Sequence, residues 1–107
     1  MFLAQVLGPV VTPVQIPFLE GRTLLLLRTV TPDGARTGRT RVAIDHAGAG
    51  VGDRVLVVDE GNSARGIYAA PNAPIKTVIV GVVDYVETDA GRVYDHRAPQ
   101  PEPSLRA

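Results

Sequence analysis

Apolar positions recur along the chain in short runs rich in Val, Leu, Ile and Thr, separated by Gly, Pro and Asp-Gly. Runs of that length between turn residues predict strands rather than helices. Five main strands are expected: Phe2 to Val14, bent or bulged at Gly8-Pro9, then Leu24 to Val30, Arg39 to Asp45, Arg54 to Val58 and Thr77 to Glu87. Turn chemistry separates them at Leu19 to Arg22, Pro32-Asp33-Gly34, Gly48 to Asp53 and Pro71 to Pro74. One short helix is expected over Asn62 to Tyr68, with Asn62 or Ser63 as its cap and Gly66 keeping it brief. The fold class is therefore mainly β: a small five-stranded OB-like β-barrel with one short helix.

The strands are oilier than a lone barrel needs. "LLLL" at Leu24 to Leu27, "VLVV" at Val55 to Val58 and "VIVGVV" at Val78 to Val83 are apolar on both faces. One face fills the barrel and the other needs cover. No predicted helix is long enough to supply it, so a second copy of the chain is the expected cover, with overlying loops as the alternative.

Length sets one domain of modest core, at 107 residues. Residues 1–90 are expected to form the barrel. Residues 91–107 read as a weak edge strand over Gly91 to His96, with Val93 and Tyr94 to pack, followed by a Pro-rich disordered tail, "RAPQPEPSLRA". Lys plus Arg number 11 and Asp plus Glu 11, so no polyanion or membrane surface is implied as a partner. The absence of cysteine excludes disulfides, thiolate metal sites and a thiol nucleophile. The opening segment, interrupted by Gln5, Gly8, Pro9 and Pro13, reads as folded chain rather than a signal or membrane segment.

Candidate chemistry is sparse. "AGAGVGD", Ala47 to Asp53, lacks the G-x-G-x-x-G spacing and the following helix that a dinucleotide needs, and no Gly-Lys-Ser/Thr is present. Ser63 and His46 with Asp45, Asp53 or Asp84 would be the serine triad available, without a nucleophile-elbow context. Asp45-His46 and Asp95-His96 are adjacent in extended chain and point to opposite faces, so neither pair chelates one ion. The acids Asp45, Asp53, Asp59, Glu60 and Asp84 fall at strand ends or turns rather than facing one another across a cleft. The expectation is no catalytic residue, no metal and no cofactor. An OB-like module for single-stranded nucleic acid or a small ligand is the alternative, but three Tyr and two Phe that do not interleave with basic residues give no stacking groove.

Three segments carry a resemblance: "MFLAQVLGPVVTPVQIPFLEGRTLLLLR", "RVAIDHAGAGVGDRVLVVDEGNSAR" and "IVGVVDYVE". In order and spacing, Asp45, Gly48-Ala49-Gly50, Gly52-Asp53, Val55, Gly61, Ser63-Ala64-Arg65 and Gly81 to Asp84 are similar to the bacterial microcompartment vertex proteins, the EutN/CcmL family. The resemblance runs from Met1 to about Glu87. It implies a homopentamer of OB-like barrels, a non-enzymatic shell protein of the bacterial cytoplasm. That pentamer would plug the corners of a polyhedral microcompartment whose facets are hexameric partner proteins. A head-to-tail ring would also cover each subunit's second apolar face. On this reading Gly48, Ala49 and Gly50 line the fivefold axis, where bulk would collide. Asp45, Arg65, Asp84 and Val82 are expected at the subunit interface, Arg65 pairing with Asp84 or Asp45. Where many members carry Pro-Val-Asp, this chain has Pro74-Ile75-Lys76, which reverses a charge.

Overall fold

The computed structural model describes residues 1–13, 15–69 and 75–97. Its strands are β1 (Phe2–Val10), β2 (Leu24–Val30), β3 (Arg36–Asp45), β4 (Arg54–Asp59), β5 (Thr77–Val82), β6 (Tyr85–Thr88) and β7 (Gly91–Asp95). A 3-10 turn at Pro17–Leu19 and one helix, α1 (Gly61–Ile67), complete the described elements. The first five strands close a barrel in the order β1-β2-β3-β5-β4, and β6 and β7 form a separate two-stranded sheet. This is the expected five-stranded barrel with one short helix.

Alternation along the strands selects the barrel interior. Ala4, Val6, Leu25, Leu27, Ala43, Val55, Val57 and Ile79 form one buried cluster, with Phe2, Ala47 and Ala49 packed against it. Phe2 pairs with Val57 toward one end of β4, whereas the loop carrying Ala47 and Ala49 hands β3 over to β4 at the other end. At the Phe2 end Arg41 Nη2 donates to Asp59 Oδ1 at 2.6 Å, Thr77 Oγ1 donates to the same oxygen at 2.8 Å, and the Arg41 guanidinium stands 5.5 Å from the Phe2 ring centre. Burial alone would raise the Asp59 carboxyl; the hydrogen bonds from Thr77 and Arg41 outweigh it and hold the group below its ordinary value.

Closure of the barrel is uneven. β2 and β3 pair from Leu24↔Ile44 to Val30↔Arg36, but β3 and β5 meet in parallel only at Ile44↔Val78 and Asp45↔Ile79. Among the described residues, no strand pairs with the outer edge of β3 ahead of Ile44.

Several expectations need correction. β3 begins at Arg36 rather than Arg39, because Gly38 takes φ +83° and lets "RTG" bulge while staying paired, with Thr37 and Thr29 hydroxyls in contact across the strands. β1 ends at Val10, and its irregularity falls between Val6 and Gly8; Val14 lies outside the described residues. The run from Thr77 to Glu87 is two strands: the ladder with β4 continues in register as far as the Val83 N–H, which donates to the Arg54 carbonyl, and β6 then begins at Tyr85, paired with β7. Gly91 to Asp95 does form a strand, paired to β6 rather than to the barrel. The helix is capped by Glu60, whose carboxylate accepts from the Asn62 and Ser63 amides, so the two expected caps lie inside the first turn. The Pro71 to Pro74 turn and residues 98–107 of the tail lie outside the described residues.

The second apolar face is partly covered by the chain itself, contrary to the expectation that no helix could supply cover. Ile44, Ala64, Ile75 and Val78 form a second buried cluster, flanked by Phe18, Leu19, Leu24, Ile67, Tyr68 and Val80. Seven residues of helix suffice because Ala64 is small enough to sit flush on the sheet.

Candidate assembly surfaces

The glycine loop is built by two carboxylates. Asp45 Oδ1 accepts from the Ala47 and Gly48 amides at 3.0 and 3.1 Å, and Oδ2 accepts from the Ala49 amide at 2.9 Å. Asp53 Oδ2 accepts from the Gly50 amide at 2.8 Å, and Gly52 N–H and Val6 N–H exchange bonds with the carbonyls of Val6 and Asp53. Short acids hydrogen-bonding their own nearby backbone hold a tight loop without help from secondary structure. Gly48 at φ +76° and Gly52 at +89° occupy conformations that a side chain would strain.

Gly50 is different. Its φ is not in the left-handed region, and a Cβ there would meet only Asp53 Oδ2, at 3.7 Å, an ordinary contact. Among the described residues nothing requires a glycine at that position. Ala49, by contrast, is half-buried against the barrel interior, so its small size is explained by its own core. The exposed lip of the loop is thus Gly48 and Gly50, with Val51 beyond them at 61% exposure.

Val82, 45% exposed, pairs with Val55 at the same end of the barrel as that loop. Val42, 48% exposed, lies on β3 beside a slot of about 190 Å³ lined by Leu19, Leu24, Ile44, Ile75 and Lys76. Val42, two residues from Ile44 on β3, is a bare portion of the second apolar face, whereas Val82 shares the face of Val55, at the loop end of the barrel interior.

The charged candidates are not gathered. Within the described chain Arg65 meets neither Asp45 nor Asp84. It folds back on the helix start, donating from Nη2 to Asn62 Oδ1 at 2.6 Å, and its guanidinium lies over Gly61, where a Cβ would displace it. Asp45 is consumed by the loop amides. Asp84 is exposed, its carbonyl accepting from the His96 amide at 2.8 Å and its carboxylate 3.6 Å from His96 Nδ1. Ser63 donates to Glu60 at 2.6 Å and the His46 ring stands edge-on to Tyr68 at 4.8 Å, so no serine triad assembles. Among the described residues no three of His, Cys, Asp and Glu gather to hold a metal.

Two features escaped the sequence reading. Arg22 stacks on Phe18 and Tyr68 at 4.2 and 4.5 Å, tying the 3-10 turn to the end of α1; burial raises the Tyr68 phenol. Arg54, 6% exposed, lies under the Tyr94 ring at 4.2 Å and against Gly34. Burial pushes the Arg54 guanidinium down and the Tyr94 phenol up. This stack pins the β6–β7 hairpin to the barrel. Arg54 and Tyr94 are 40 positions apart in the numbering, and no local pattern joins them.

Comparison with known proteins gives these surfaces a context. Over 88 residues the chain is 44% identical to the bacterial microcompartment shell vertex protein PduN of Salmonella typhimurium, covering 78% of this chain and 96% of that one. A carboxysome subunit, CcmL, superposes with a TM-score of 0.83 at 37% identity, covering 91% of this chain and all (100%) of the other. The pentameric microcompartment shell protein GrpN of Rhodospirillum rubrum gives 0.74 at 36% identity, over 82% and 99% of the two chains. The family described as ethanolamine utilisation protein EutN/carboxysome matches residues 1–84, which span the whole barrel, the glycine loop and the capped helix, and the chain belongs to that EutN/CcmL family.

Proposed function

We propose that the protein is a non-enzymatic shell component that assembles as a homopentamer and closes the vertices of a bacterial microcompartment in the cytoplasm. The observation that carries this reading is the family membership of an intact barrel whose second apolar face is only part-covered by its own helix. A head-to-tail ring supplies the remaining cover and leaves no open end. Facets tiled by hexagonal units close into a polyhedron only with pentagonal units at the corners, so hexameric shell proteins are the partners this role requires.

Within the ring, Gly48 and Gly50 are placed at the fivefold axis, with Ala49 turned inward to the barrel. Support comes from Gly50, a glycine for which the described residues supply no reason. Arg65, Asp84 and Val82 are placed at the subunit boundary, and Asp45 acts there through the loop it holds. Coexpression with hexameric facet proteins tests the role: closed polyhedra are expected with this chain present, and open sheets or tubes without it. Closed shells of equal yield in its absence would refute it.

A further inference from the structure

Two strand edges in this chain have no partner among its described residues, and they carry opposite charge. The first is the outer edge of β3 ahead of Ile44, where Thr37, Gly38, Arg39, Thr40 and Val42 are exposed. Arg36 and Arg39 lie in this stretch, Arg41 beside them being engaged by Asp59, and no acid occurs between Arg36 and Ile44. Lys76 adds a cation beside the Val42 slot. The second is the β6–β7 hairpin, which pairs only with itself. It bears Glu87, Asp89 and Asp95, with Asp84 just ahead of it, against Arg92, already bonded to Asp95 at 3.1 Å and to Glu87 at 3.5 Å, and Arg97 just beyond it.

Neither edge is a comfortable end state. Unpaired N–H and C=O groups along an exposed strand invite another strand, and a two-stranded sheet alone is marginal in water. The Tyr94–Arg54 stack fixes the hairpin on the barrel, so it is presented as a preformed arm rather than a loose tail. Tyr85 stands 51% exposed on β6 with the Arg92 guanidinium 4.0 Å over its ring, while the Val42 slot on the other edge is lined by Leu19, Leu24, Ile44 and Ile75.

We propose that the ring closes by strand addition: the acidic β6–β7 hairpin of one copy lies along the open, arginine-bearing edge of β3 in the next. The contact joins two different surfaces, as a closed cyclic ring requires, and main-chain hydrogen bonds supply adhesion while opposite charges set register and direction. It rests on the pentamer reading above and adds which surfaces meet.

Charge reversal tests it on the full chain, by sedimentation across a concentration series. Arg36→Glu with Arg39→Glu is expected to raise the concentration needed for half-assembly by about tenfold or more, since like charges then face each other. Glu87→Lys with Asp89→Lys is expected to do the same. All four changes in one chain restore opposite charge across every junction and should recover the wild-type ring, a rescue that general misfolding would not give. Wild-type-like rings from both two-residue variants, or no recovery in the combined chain, would overturn the strand-addition contact while leaving the vertex role standing. A wild-type chain that sediments as a monomer at every concentration would overturn the pentamer itself.

Discussion

The two faces of the same sheet are packed to different degrees. The barrel interior holds eight buried apolar residues in one cluster; it is complete within one chain. Among the described residues the outer cluster has four buried members and six flanking ones that stay part-exposed, and the apolar surface continues past it to Val42. A core that thins out toward bare strand is what an interface looks like before its partner arrives. The contrast separates what makes the chain fold from what makes it assemble.

The comparison is broken most severely from the inside. Ile79→Ala empties a fully buried site in the closed barrel and should cost about 2–5 kcal/mol, read by denaturant unfolding. Ile67→Ala, on the half-buried cover, should cost about 1–2 kcal/mol by the same measurement, because water already reaches part of that side chain. A loss equal to that of Ile79→Ala would mean that the outer cluster is as complete as the inner one.

The helix that provides the cover depends on its cap. Hydrogen bonds from the Ser63 hydroxyl and from the Ser63 and Asn62 amides hold the Glu60 carboxyl below its ordinary value of 4.5. A carboxyl depressed in the folded state contributes fully above its unfolded value, and the contribution is lost as pH falls through the lower folded value. Glu60→Gln should therefore remove part of the acid-side decline in stability and speed amide exchange at Asn62 and Ser63 at neutral pH. Unchanged exchange there would exclude the cap as the anchor of α1. The smallest effect on the chain's own stability, within about 0.5 kcal/mol, is expected for the exposed change Val42→Asp, which should nonetheless abolish assembly.

Much of this contrast was legible beforehand. Leu24 to Val30 has the same ends in sequence and structure, because an unbroken apolar run bounded by turns leaves little choice. The glycine loop was also legible as a tight connection, and Asp45 followed by small residues contains a local signal for its capping role that strand-end reasoning passed over. The break beyond Val83 was not legible, since it falls where β4 begins, at Arg54, and the chain turns to pair with β7 instead. Likewise Arg41 with Asp59, and Arg54 with Tyr94, are pairs made by the barrel's curvature rather than by spacing. Asn62 and Ser63 read as the caps, whereas backbone geometry gives the role to Glu60, which that reading passed over. Seven residues of helix looked too few to cover a sheet, and are enough for part of it.

Native mass spectrometry of the purified chain across a range of protein concentrations tests the central claim most directly. Five chains per particle is the expected result, with Val42→Asp giving folded single chains. A wild-type chain that stays monomeric and well behaved at high concentration would show that the outer apolar surface needs no sibling, and would contradict the account.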